Sequence, residues 1–275
     1  MAGMLYLVPT PIGNLGDISI RCRETLEQAD FIAAEDTRVT LKLLNHLGIK
    51  KSLVSYYEHN KDQSGNQILE RILAGQTCAL VSDAGSPAIS DPGEELVRQC
   101  AEAGVTVCAI PGPCAVITAL SISAQATGRF CFEGFLSTAK KSRREHLQSL
   151  QGETRTMVFY EAPHKLLSTL EDMAAVFGAD RPISLCRELT KLHEQVLRTT
   201  LGEAIGYFRE TPPRGEFVLV IAGATQQPHP PATAEEAAAR VAALMEQGLS
   251  RKDAVKQTAR ELDLPKSIVY DAALP

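Results

Sequence analysis

The sequence predicts an α/β protein: two α/β domains that meet at a cleft, with a small helical unit behind them. Three observations predict it. Over the first 115 residues, short apolar runs alternate with helix-length amphipathic stretches, the pattern of parallel βαβ units. From about residue 130 the apolar runs are separated by fewer helices, which points to a mixed sheet. A polar, proline-rich stretch, GATQQPHPPAT (223–233), then reads as a linker ahead of three helix-length segments. The expected divisions are an N-terminal α/β domain at 1–117, a C-terminal α/β domain at 118–224, and a linker with a helical tail at 225–275.

Strands are expected at 5–8, 31–34, 52–57, 78–81 and 105–110, with helices at 19–28, 39–47, 67–74 and 94–103. Gly48, Gly75 and Gly104 each follow a helix where a left-handed terminating residue belongs. A helix at 115–124 leads into strands at 130–135, 157–160, 183–186, 196–200 and 217–222. Helices at 144–150, 165–177 and 202–208 lie between them. The tail offers helices at 234–246, 250–261 and 266–274, and Ser250 with Asp253 fits a capping box. Such a tail resembles a helix-turn-helix unit, and a helical hairpin packed on its neighbour or on a dimer partner fits equally well.

Composition narrows the function. With 275 residues, 44% of them hydrophobic, the chain can bury one large core or two medium ones. No apolar run approaches the roughly 18 residues that cross a bilayer. The opening MAGMLYLVPTPIGN reads as a first strand and not as a signal peptide, so a cytoplasmic protein is expected. Seven cysteines without a C-x-x-C pair read as reduced, buried thiols, and six scattered histidines give no metal-ligand spacing. A net charge of −5 gives no pointer to nucleic acid. The compact run Lys140-Lys141-Ser142-Arg143-Arg144 is either a phosphate-contacting surface or a solvated helix start.

The unusual residues fall in loops just past the strands, where ligands bind in parallel sheets. Val8-Pro9-Thr10-Pro11-Ile12-Gly13-Asn14 is stiffened by prolines, and Gly13 is expected to take a conformation closed to other residues. Proline stands where a phosphate loop needs free N–H groups, which disfavours a nucleotide-phosphate site. Ala34-Glu35-Asp36-Thr37-Arg38 crowds three charges together, as a substrate-facing cluster or as an ion pair capping the next helix. The loop from Ser82 to Gly93 is long and made of small residues, with Asp83 able to accept hydrogen bonds. Pro111-Gly112-Pro113-Cys114-Ala115 runs into a helix whose free N–H groups suit a carboxylate. No basic neighbour activates Cys114 as a nucleophile.

Nine segments together resemble the tetrapyrrole methylase superfamily, and within it the branch of small-subunit rRNA 2′-O-ribose methyltransferases. They are VPTPIGNLGDI (8–18), AEDTR (34–38), HN (59–60), SDAGSPAISDPG (82–93), PGPCA (111–115), FEGFL (132–136), FYEAPHK (159–165), RELTK (187–191) and GEFVLVI (215–221). The resemblance implies S-adenosylmethionine held in a cleft between two α/β domains of a homodimer. It places the cofactor against Pro11; Asp83, Ala84, Gly85, Ser86 and Ile89; Pro113, Cys114 and Ala115; and Tyr160, Leu189 and Glu216. It implies the ribose of cytidine 1402 in 16S rRNA, within the 30S subunit, as target. Ser86, Cys114 and Lys165 depart from the commonest residues of that branch, and Lys165 lacks the bidentate geometry of the arginine usual there.

Methyl transfer from a sulfonium requires the hydroxyl oxygen, methyl carbon and sulfur to be in line. A protonated 2′-hydroxyl is a poor nucleophile and needs a base, or a cation that favours the alkoxide. The candidates for positioning or proton removal are Glu35, Asp36, Arg38, Glu188 and Lys191, and the sequence does not choose among them. Two other functions fit in outline. A porphyrin or corrin precursor methyltransferase usually carries a G-x-G-P-G first loop, absent here. A ribosome-assembly factor could bind cofactor and RNA without catalysis.

Overall fold

The computed structural model describes residues 3–225, 233–262 and 264–273. The chain divides into two compact units, Met1–Ala224 and Thr225–Pro275. Most of the expected linker lies outside the described residues.

The first unit opens with β1 (Met4–Leu7), α1 (Ile20–Gln28), β2 (Phe31–Ala34), α2 (Thr37–Leu47), β3 (Ser52–Ser55), α3 (Lys61–Leu73), β4 (Cys78–Val81), α4 (Glu94–Glu102) and β5 (Thr106–Ala109). All five strands are parallel, in the order β3-β2-β4-β1-β5. Both faces are covered. Phe31 and Ala33 of β2 pack with Ile68 of α3 and Leu96 of α4, while Ile32 and Ala34 pack with Leu26 of α1 and Leu44 of α2. This two-sided burial is why β2 and β4 read as unbroken apolar runs with no alternation. Helix α3 begins six residues before the expected 67, because Lys61-Asp62-Gln63-Ser64 is a polar, solvent-facing first turn with no apolar periodicity to mark it.

Helix α5 (Ala115–Ile122) leaves β5 and packs against the second sheet, where Val116, Ala119 and Leu120 meet Val158, Val218 and Val220. That sheet contains β6 (Phe130–Phe135), β7 (Thr156–Glu161), β8 (Pro182–Arg187), β9 (Gln195–Thr200) and β10 (Phe217–Ile221), in the order β6-β7-β10-β8-β9. Only β6 and β7 run parallel, so the sheet is mixed, as its helix-poor sequence predicts. Its other face is covered by α6 (Lys140–Ser149), α7 (Pro163–Phe177) and α8 (Leu201–Glu210).

The second unit is α9 (Ala234–Glu246), α10 (Arg251–Glu261) and α11 (Lys266–Ala272), packed on one another around Val241, Leu244, Val255 and Val269. The capping box expected at Ser250 is half formed. The Ser250 hydroxyl accepts from the Asp253 N–H, but the Asp253 carboxylate takes a bond from that hydroxyl and not from the backbone of Ser250. Aspartate is one methylene too short to reach back, whereas Thr233 and Glu236 close a full box on α9.

The basic run at 140–144 is corrected as a phosphate surface at Arg143. Arg143 is buried and pairs with Asp172 at 2.6 Å, and Arg144 takes the other oxygen of the same carboxylate at 2.7 Å. Burial works against the charge on Asp172, but the two guanidinium bonds outweigh it and hold the carboxyl below its usual range. Lys140 and Lys141 are exposed there, and Arg144, though it pairs with Asp172, keeps about half of its side chain exposed. Removing the acid strands a buried cation, so Asp172→Ala is expected to cost about 3–5 kcal/mol in urea unfolding. Lys141→Ala is expected to stay within about 0.5 kcal/mol.

Candidate active site

Parallel pairing gathers the loops. Strands β2, β4, β1 and β5 are successive neighbours, so the segments leaving their carboxyl ends emerge side by side. Ala34 pairs with Val81, which sets Glu35 and Asp36 beside Asp83: the Asp36 N–H donates to Asp83 Oδ1 at 3.0 Å. Thr10 and Gly85 exchange two backbone bonds of 2.9 Å, tying the first loop to the long one. The Ser86 hydroxyl donates to the Pro113 carbonyl at 3.2 Å, which adds the loop after β5. α1 leaves β1 toward one face of the sheet and α4 leaves β4 toward the other, so this edge is a topological switch point.

The loops border a cleft of about 550 Å³, within the range of small-molecule sites. Its floor is apolar and small: Ile12, Ala84, Gly85, Ile89, Ala115, Leu189 and Val218. Its acidic residues are Glu35, Asp83, Asp91, Glu161 and Glu216, and among the described residues no lysine or arginine lines it. Glu161 is already committed, accepting from the Ala162 N–H and the Thr169 hydroxyl. The first turn of α5 opens on the cleft through Cys114 and Ala115, and the Cys114 side chain does not cap it. Burial pushes the Tyr160 phenol up to about 12, so it stays a hydrogen-bond donor.

Two stretches carry unusual backbone. Ala88 and Ser90 have φ of 66° and 65°, and Glu188 and Thr190 have φ of 51° and 66°. Each pair flanks a residue that lines the cleft, Ile89 or Leu189. Left-handed conformations at non-glycine residues cost on the order of 1–3 kcal/mol each and gather at functional sites. No glycine marks these turns, so the sequence does not announce them.

Of the seventeen residues singled out from sequence, eleven line the cleft: Glu35, Asp83, Ala84, Gly85, Ser86, Ile89, Cys114, Ala115, Tyr160, Leu189 and Glu216. Six do not: Pro11, Pro113, Asp36, Arg38, Glu188 and Lys191. Asp36 caps α2, accepting from the Arg38 N–H at 2.8 Å, and its pairing with the Arg38 side chain holds its carboxyl at about 2. Glu188 accepts from the Glu216 N–H and from Lys191 Nζ, both at 2.9 Å, and these bonds, the backbone one foremost, hold its carboxyl low. Lys191 also reaches Glu216 at 2.8 Å. Glu35 differs from all of these: burial, then the neighbouring Asp83 charge, raises its carboxyl.

Sequence reasoning left Asp91, Ile12, Phe135, His164 and Phe217 out of the site. Asp91 is the most telling omission. Burial, with the Glu35 charge adding to it, pushes its carboxyl up to about 6. It lies inside the SDAGSPAISDPG segment, and an aspartate ahead of Pro-Gly at the end of a loop was the available signal. The expectation for Gly13 is corrected. It does not take a positive φ; it is needed because a Cβ there would lie 2.5 Å from Lys191 Cγ and 3.1 Å from the Leu189 carbonyl. The absent side chain lets the first loop touch the 188–191 turn.

Fold and site define an α/β protein that takes a small ligand into an acidic, partly apolar cleft at a parallel-sheet edge. Residues 4–205 match the family described as Tetrapyrrole (Corrin/Porphyrin) Methylases, and the chain belongs to that family. It is 52% identical to the ribosomal RNA small subunit methyltransferase I of Synechocystis sp., over 99% of this chain and 98% of the relative. It is 46% identical to the protein of the same name from Halalkalibacterium halodurans, over 98% and 94%. Its fold is similar to that of the uroporphyrin-III C-methyl transferase from Thermus thermophilus complexed with S-adenyl homocysteine, with a TM-score of 0.57 and 16% identity over 80% of this chain and 97% of that one.

Asp91 makes stability pH-dependent. Its folded pKa lies above the unfolded value near 4, so protonation favours the fold; the contribution is full below about pH 4 and lost as pH rises through about 6. Asp91→Asn is therefore expected to raise Tm at pH 7.5, with the gap to wild type closing by pH 4.5. Gly13→Ala is expected to lose about 1–3 kcal/mol of stability through overpacking. Gly128→Ala, where a Cβ meets nothing within 4 Å, is expected to lose none measurable.

Proposed function

We propose that this chain methylates small-subunit ribosomal RNA, moving the methyl group of S-adenosylmethionine to the ribose 2′-hydroxyl of cytidine 1402 in 16S rRNA. On this reading it works in the cytoplasm as a homodimer, with the 30S subunit as substrate. The relatives named as ribosomal RNA small subunit methyltransferases, matched nearly end to end, support an rRNA substrate. The observation that carries the donor is the charge of the cleft: acidic side chains and an apolar floor, with no lining lysine or arginine among the described residues. Such a lining suits a cationic ligand with a flat apolar ring, and it repels a polyphosphate.

S-adenosylmethionine, when bound, supplies an electrophilic methyl carbon whose departure leaves both bonding electrons on sulfur. The chain's residues do the rest. Ala84, Gly85, Ser86, Ile89 and Ala115 leave room for close backbone contact, and the N–H groups at the start of α5 suit the donor's carboxylate. Pro11 and Pro113 stiffen the loops that hold this wall. Tyr160, Leu189 and Glu216 close the opposite wall. We assign the parallel-sheet half (1–117) and the mixed-sheet half (118–224) to these two walls.

For the proton of the 2′-hydroxyl, Glu35 is the acceptor we favour, because it alone of the five candidates faces the cleft with a raised carboxyl. Asp36 and Arg38 hold the start of α2, and Glu188 and Lys191 position Glu216 at the rim. With the donor bound, the Glu35 carboxylate would take the hydroxyl's proton as that oxygen accepts the methyl group. Burial raises the Glu35 carboxyl and so strengthens it as a base.

Labelled S-adenosylmethionine incubated with undermethylated 30S subunits, naked 16S rRNA and a porphyrinogen separates the readings. Label is expected in the 30S rRNA at one cytidine ribose. Label in the porphyrinogen, or in nothing, overturns the assignment. In single turnovers on the labelled RNA substrate, Glu35→Gln is expected to slow transfer by roughly 10²–10⁴-fold.

A further inference from the structure

A second cavity, of about 260 Å³, opens beside α8 at the ends of β8 and β10. Phe217 is a wall common to it and to the cleft. Its chemistry is the reverse of the cleft's. Arg187, the last residue of β8, donates through Nε to the Arg214 carbonyl at 2.6 Å, which leaves its two terminal nitrogens available. Neither Arg187 nor Arg214 pairs with a carboxylate among the described residues. Tyr207 lies alongside, 41% exposed, its ring braced edge-on by Phe208 with centroids 5.0 Å apart. Gln195 adds an amide that can donate and accept.

Two available guanidinium groups, an exposed braced ring and an amide are what an unstacked nucleotide needs: cations for phosphate, a π-face for the base, and an edge for hydrogen bonds. The cleft's acidic lining offers RNA phosphates no cation, so the strand's phosphates need partners outside it. Arg187 directly precedes Glu188, and Arg214 lies two residues before Glu216 at the cleft rim, so the chain changes charge sign across that rim.

We propose that this cavity is a substrate subsite, receiving a nucleotide near the methylated one, with its phosphate on Arg187 and Arg214 and its base against Tyr207. The proposal rests on the RNA reading above and adds where the strand is held.

Fluorescence anisotropy with a labelled single-stranded oligoribonucleotide spanning the methylated cytidine tests it without requiring turnover. Arg214→Gln is expected to weaken binding roughly tenfold and to flatten the salt dependence by about one unit of slope. Tyr207→Ala is expected to weaken it roughly tenfold, while Tyr207→Phe retains the stacking and binds as wild type does. Calorimetric affinity for S-adenosylhomocysteine should be the same in all variants, which controls for folding. Wild-type affinity and salt slope in both Arg214→Gln and Tyr207→Ala overturn the proposal, as does a wild-type protein that binds no oligonucleotide. Arginine-dependent binding by a wild type that methylates no RNA would uphold the subsite and sink the methyltransferase reading. Normal methylation with unaltered variants would do the opposite.

Discussion

The site depends on parallel strand pairing. A parallel sheet sends every strand's carboxyl end to one edge, and the order β3-β2-β4-β1-β5 brings together loops that lie as far apart in sequence as Thr10 and Gly85. The two backbone bonds between those residues fasten the first loop to the long one, and Ser86 fastens the long one to the turn before α5. Without that register, Glu35 and Asp83 would be solvated surface acids. Held beside each other and partly buried, both have raised carboxyls.

The mixed sheet contributes the opposite wall by different means. Its loops are bent into place by left-handed residues at Glu188 and Thr190 and locked by the Glu188–Lys191–Glu216 bonds. The same device, at Ala88 and Ser90, turns Ile89 into the cleft from the other side. Strain of this kind persists only where surrounding contacts over-determine it. Gly13, pressed against the 188–191 turn, shows how little space separates the two walls. Acidic side chains line the cleft and two arginines line the cavity beside it, so the sign of the charge changes across Phe217.

Much of this was legible in the sequence. Unbroken apolar runs such as 31–34 and 78–81 marked strands buried on both faces, and the thinning of helices after residue 130 marked the mixed sheet. The loops were found because small residues, prolines and charges interrupt the apolar pattern just past a strand. What the sequence left open was the partners of single side chains. Arg143 and Arg144 sit in what looks like a basic patch, yet both are spent on Asp172, a residue 28 or more positions away. Asp36 and Arg38 look chemical and serve to cap a helix and pair with each other.

The sequence by itself determined the element types, the two-sheet architecture with its helical tail, and the segments that border the cleft. These follow from local periodicity, turn chemistry and residue size, which a chain carries without reference to distant neighbours. Only the tertiary structure decided which carboxylates are pushed up and which are neutralised, why Gly13 must lack a side chain, and that Asp91 faces Glu35. Each of those depends on burial and on charges brought close from remote parts of the chain, and electrostatic energy is set by distance in space and not by separation along the sequence.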